Sequence, residues 1–212
     1  MFHRVFTLGQ LQCNASLLGD EETREALVID PGEDPTALTD AITEGGWRVK
    51  EILFTHVHID HVAGAAEVQR LTGAPVAMHP ADLGLYDSLP EQAAWIGMPT
   101  PERVEITHWL EEGEEIECGS LRLKVLFTPG HAPGHVSFYL AEQSMILSAD
   151  VLFRASIGRT DLPGGNHPRL IESIRTKLLT LPDETRVIAG HGPATTIGLE
   201  RRTNPFLVGA TV

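Results

Sequence analysis

The heptapeptide Thr55-His56-Val57-His58-Ile59-Asp60-His61 constrains this chain more than any other stretch. It closes a short apolar run, Ile52 to Thr55, that reads as a buried strand. On extended backbone alternate residues point to one side, so His56 and His58 project together. Ten histidines among 212 residues is a high share, yet even so a chance H-x-H-x-D-H is on the order of one in a thousand. A solvated loop has no need of three imidazoles in six residues. Imidazole with carboxylate is a ligand set for zinc, iron or manganese.

Three separate residues share that context. His131 lies in Thr128-Pro129-Gly130-His131, Asp150 closes the run Met145 to Asp150, and His191 sits in Gly190-His191-Gly192-Pro193. Ligands carried on successive strand ends converge on one edge of a sheet. Around them the chain alternates strand and helix signals. Strands are expected at Val5 to Leu8, Ser16 to Gly19, Ala26 to Asp30, Pro75 to Met78, Leu121 to Phe127, Val136 to Leu140, Met145 to Ser148 and Arg186 to Ala189. Helices are expected from Asp34-Pro35 to Gly45-Gly46, from Val62 to Gly73 and from Asn166 to Leu181. Leu85 to Arg103, with its prolines and glycines, reads as a long loop. Elements in this order suggest sheets covered by helices, an α/β or α+β domain.

Composition narrows the partners. Sixteen basic against 29 acidic side chains give a net charge of −13, which disfavours nucleic acid or an anionic membrane. Two lone cysteines, Cys13 and Cys118, and a first segment without an apolar signal region point to the cytosol. In that setting the sequon Asn14-Ala15-Ser16 reads as chance. A chain of this length is expected to form one domain, residues 1–212.

The motif Thr55 to His61, followed in order by His131, Asp150 and His191, resembles the metallo-β-lactamase fold superfamily. The likeness extends to Ile29-Asp30-Pro31-Gly32, Gly158-Arg159-Thr160-Asp161 and Glu200 to Phe206. Within the superfamily it is most similar to the small bacterial branch resembling glyoxalase II, the hydroxyacylglutathione hydrolases. The resemblance implies a four-layer αββα sandwich with metals at one edge. His56, His58 and His131 would hold a first ion, and Asp60, His61 and His191 a second. Asp150 would bridge them, since two cations ~3.5–4 Å apart need an anionic bridge. Asp30 would orient a ligand histidine from behind, and His135 would support the site by hydrogen bonding. Zinc is the first expectation for the pair of divalent ions, with iron or manganese as alternatives.

The reaction so implied is hydrolysis of an acyl thioester such as S-lactoylglutathione by a hydroxide bridging the ions, with Asp60 and Asp150 as the catalytic carboxylates. Arg159 and Asp161 would stand at the mouth of the site toward the substrate. The runner-up is a persulfide dioxygenase using one iron on His56, His131 and Asp150; a metal-binding module without turnover comes third. Antibiotic hydrolysis is not expected, because His61 completes the second site where secreted β-lactamases place a cysteine. Twenty-one residues follow His191, too few for the helical segment with which larger glyoxalase II enzymes grip glutathione. His3, His79, His108 and His167 read as ordinary histidines, Glu200-Arg201-Arg202 as a solvated helix face, and Trp95 and Met98 as a lid or a pin for the long loop.

Overall fold

A period of two, written into strands buried on both faces, decides the architecture. In the computed structural model, which describes residues 1–208, the first half runs through β1 (Phe2–Leu8), β2 (Cys13–Gly19), β3 (Glu25–Ile29), α1 (Thr36–Gly45), β4 (Arg48–Leu53), α2 (Ile59–Val62), α3 (Ala65–Thr72), β5 (Val76–Met78), α4 (Leu83–Asp87), α5 (Leu89–Ile96) and β6 (His108–Trp109). The second half follows with β7 (Glu115–Cys118), β8 (Leu121–Phe127), β9 (Val136–Leu140), β10 (Met145–Ala149), β11 (Leu152–Phe153), β12 (Ser156–Ile157), α6 (His167–Ser173), β13 (Arg186–Ala189), β14 (Thr195–Thr196) and α7 (Ile197–Thr203). The expected domain boundary at 212 lies outside the described residues.

One sheet has the order β1-β2-β3-β4-β5-β6 and the other β14-β13-β10-β9-β8-β7. Both are mixed: β3, β4, β5 and β6 pair in parallel, as do β10 and β13, and the other pairings are antiparallel. Alternate residues of β3 then enter different cores. Ala26 and Val28 pack with Leu38, Ile42 and Val68 of the covering helices, whereas Leu27 and Ile29 face Leu123, Phe138 and Leu147 of the second sheet. Ile146 and Val187 turn the other way, onto Leu170, Ile174 and Ile197. Three apolar layers separate four layers of structure, the αββα sandwich. Far from the parallel strand ends, Asp20 accepts hydrogen bonds from Ser120 N and Oγ at 2.6 and 2.7 Å, and Glu25 accepts from Gly119 N at 2.7 Å. These clasp the first sheet to the β7–β8 turn. No described helix is long and apolar enough to cross a membrane.

Three expectations need correction. Leu85 to Arg103 is helical over its first half, in α4 and α5. Pro90 stands in the first turn of α5, where its missing N–H costs nothing, and Gly97 ends the helix in the left-handed conformation. The helix expected from Val62 to Gly73 is interrupted at Gly64, whose N–H bonds the carbonyl of Gly32 rather than the preceding turn. Glycine is needed there because a Cβ would meet Gly32 O at 2.7 Å and Pro35 Cγ at 2.8 Å. Glu200 is no solvated residue: it is 1 % exposed and hydrogen-bonds Ala155 N, Thr195 Oγ1 and Asn204 Nδ2.

Candidate metal centre

Strand β4 ends at Leu53 and releases the chain into Phe54-Thr55-His56, while α2 begins after His58 and lifts Asp60 and His61 in its single turn. His131 comes from the β8–β9 connection, Asp150 directly follows β10, and His191 follows β13. Two sheets thus deliver side chains to one edge. Among the described residues, three groups have ligand atoms within 4.8 Å of one another: His56 with His58 and His131, Asp60 with His61 and His191, and Asp30 with His56 and His61. The Asp150 carboxylate lies between the first two, 3.4 Å from His131 Nε2, 3.6 Å from His61 Nε2 and 3.7 Å from His191 Nε2. Its backbone approach is tight. Ala149 takes φ 38°, and a Cβ on Gly158 or Gly190 would collide with Asp150.

The donor set fits cations. His56 Nε2, His61 Nε2 and Asp150 Oδ1 are buried without a hydrogen-bond partner, a costly state that a bound ion would relieve. Behind them the other ring nitrogens are held. Thr55 Oγ1 meets His56 Nδ1 at 3.0 Å, Asp30 Oδ2 meets His61 Nδ1 at 2.9 Å, and the carbonyl of Arg159 meets His131 Nδ1 at 2.8 Å. On the open side His58 Nδ1 faces His131 Nε2 at 2.8 Å, two donors converging on one point, while behind, His191 Nδ1 reaches Gln12 O at 3.2 Å. Such partners fix tautomer and ring orientation. Asp30 also accepts from Thr55 N and Oγ1 at 2.8 and 2.6 Å, so it ties the motif to the end of β3.

Electrostatics divide the two groups. Burial would lower His61 and His191, but the acidic groups around them, Asp60 and Asp150 among them, outweigh it and raise both. The first group is held neutral. Burial, with neighbouring histidines, holds His56 well below the usual imidazole range and His58 at about 3; burial also lowers His131. All three are neutral at pH 7, the form that ligates metal. Burial would raise Asp60, but His61 and His191 outweigh it and keep the carboxylate below its usual range. His135 is fully buried, stacks on His56 with ring centroids 4.9 Å apart and bonds Thr128 Oγ1 at 3.1 Å. It supports His56 from behind. Of the ordinary histidines, His3 meets Ser16, His79 stacks on Phe127 and His108 pairs with Glu51 and Glu114.

The group opens on a cleft of about 680 Å3 whose walls include Leu11, Ile59, Trp95, Ile96, Phe153 and Ile157. Gln92 fixes one wall: it accepts from Ile59 N at 3.0 Å and donates to Val57 O and Leu85 O, stapling α5 to the ligand loop. Trp95 belongs to that wall; Met98 instead packs against the core beneath it. Arg159 lines the cleft, but both of its bonds go to Asp161, at 2.7 Å each, and Asp161 is outside the lining. Arg154 also lines the cleft and was not singled out in the sequence. An exposed arginine on a hairpin leaves no periodic signal.

The chain matches the family model described as "Metallo-beta-lactamase superfamily" over residues 8–191. It is 42 % identical over 205 residues to a protein of Haemophilus influenzae named hydroxyacylglutathione hydrolase GloC, covering 96 % of each chain. Among solved structures, BLEG-1, described as a B3 metallo-beta-lactamase, superposes with a TM-score of 0.92 at 38 % identity over 98 % of this chain and 100 % of that one. TTHA1623 in a di-iron-bound form superposes with a TM-score of 0.87 at 44 % identity over 96 % and 100 %.

Proposed function

Because the chain belongs to the metallo-beta-lactamase superfamily, whose metal-dependent hydrolase chemistry its clustered ligands suit, we propose that it hydrolyses acyl thioesters of the hydroxyacylglutathione type. The observation that carries this reading is the completeness of both ligand groups with Asp150 between them. When bound, a pair of divalent ions supplies a water made acidic enough to react near pH 7 and a Lewis acid for the carbonyl. His56, His58 and His131 would hold one ion, Asp60, His61 and His191 the other, and Asp150 both.

The remaining work falls to the chain. Asp60 stays ionised beside His191, 3.2 Å away, and so keeps negative charge on the second group. A substrate seated against the apolar walls would displace water from beside its carbonyl, which strengthens polar contacts there. A thiolate leaving group has a conjugate-acid pKa near ~8.5, so no side chain is required to protonate it. That accords with the cleft lining, whose acids among the described residues are Asp60 and Asp150, both in the ligand groups. Support for the thioester comes also from the likeness to the Haemophilus influenzae hydrolase.

Metal analysis beside a panel of glutathione and coenzyme A thioesters tests the proposal. Two divalent ions per chain are expected, with zinc as the first candidate and iron as the alternative. Hydrolysis should fall to background on chelation and return when the ion is restored. Persulfide oxidation, the second reading, would need only His56, His131 and Asp150. One iron per chain with thiol-dependent oxygen uptake, or no turnover of any thioester by fully loaded protein, would overturn the hydrolase.

A further inference from the structure

The cleft carries more information than its metal edge. Its walls are apolar, and of the two arginines that line it only one is uncommitted. Arg159 is chelated by Asp161 through two bonds. Arg154 is exposed and makes no ion pair among the described residues. It occupies the tip of the hairpin formed by β11 and β12, where Leu152 faces Ile157 and Phe153 faces Ser156. The tip is a two-residue turn, with Ala155 at φ 56°.

That tip is anchored from beneath. Ala155 N donates to Glu200 Oε2 at 2.9 Å, and Asn204 Nδ2 donates to Ser156 O at 2.9 Å and to Glu200 Oε2 at 2.8 Å. Glu200 and Asn204 are 1 % and 0 % exposed. Glu200 and Asn204 therefore serve the cleft by bracing the hairpin rather than by lining it. A rigid turn that presents a free guanidinium beside apolar walls is a ready anchor for one carboxylate, because the fork matches carboxylate geometry. In a protein of net charge −13, an anionic substrate needs such a local cation to offset the general repulsion.

Resting on the thioesterase reading, we infer that Arg154 is a specificity-determining residue that binds a carboxylate of the thioester substrate at the mouth of the cleft, with the substrate's least polar part against the apolar walls. The test uses two thioesters, one with a carboxylate on the acyl side and one with it on the thiol side, each beside its methyl ester. Wild-type protein is expected to prefer at least one acid over its ester by about tenfold or more in kcat/KM, expressed in KM, as loss of a charged hydrogen-bonding pair predicts. Arg154→Gln should abolish that preference by bringing the KM of each acid to that of its own ester, and Arg154→Lys should retain most of it.

Equilibrium binding of 4-phenylbutyrate against 4-phenylbutyramide, followed by Trp95 fluorescence, decides the point without catalysis. The acid should bind about tenfold tighter in wild type and no tighter in Arg154→Gln. An acid preference that survives Arg154→Gln, or none in wild type, overturns the inference. If no thioester is cleaved, the hydrolase reading fails, and the binding comparison still judges Arg154.

Discussion

Asp150→Ala is expected to lower thioester hydrolysis at least about a thousandfold and to bring metal content from two ions per chain to one or fewer. Partners behind a ligand cost 10–100-fold when lost, and a carboxylate shared between two groups must cost more. Geometry gives the reason: Asp150 is within 3.7 Å of His61, His131 and His191 at once. Asp150→Asn, with the shape kept and the charge removed, should fall between. Two ions and full activity in Asp150→Ala would refute the bridging role.

Asp30→Ala is expected to injure both stability and metal binding, and the two injuries can be separated. Asp30 is 2 % exposed and accepts three hydrogen bonds, two from Thr55 and one from His61. Alanine would leave Thr55 N buried and unpaired, at a cost of about 1–3 kcal/mol. It would also occupy a left-handed backbone position, φ 50°, which favours Asp and Asn over Ala. Loss of the carboxylate behind His61 should weaken the second ion by about 10–100-fold. Asp30→Asn keeps the backbone preference and an oxygen for Thr55 N, yet turns an uncharged amide toward His61. Denaturation midpoints should therefore recover largely in Asp30→Asn, while affinity measured against a competing chelator should recover little. Equal recovery of both would mean that Asp30 acts on the metal only through the fold.

The ligand edge was legible because its residues stand next to signals that sequence preserves. His56, His131, Asp150 and His191 each follow a strand or a glycine turn, and local order was enough to place them on one edge. Alternation in Leu121 to Phe127 foretold a half-buried strand, which holds from Leu121 to Val125 but not at Leu126, buried on the other side among Ile146 and Leu170. The cleft was not legible. Its wall on α5 is a helix of eight residues, shorter than a periodic pattern needs to declare itself, and prolines beside it imitate a loop. Glu200 looked solvated because charged residues usually are; its burial depends on Ala155, Thr195 and Asn204, and Ala155 stands 45 residues away. Arg154 gained its meaning only when Asp161 was seen to occupy Arg159.

The sandwich is fastened at its two ends by unlike chemistry. At one end Asp20 and Glu25 grip the turn at Gly119 and Ser120 with hydrogen bonds that persist throughout the neutral pH range. At the other, β4 and β13 send side chains to a common group in which buried nitrogens and a carboxylate oxygen have no hydrogen-bond partner. The first end is therefore the one expected to hold the strands in register whatever occupies the second, and cations would bind an edge whose sheets are already paired.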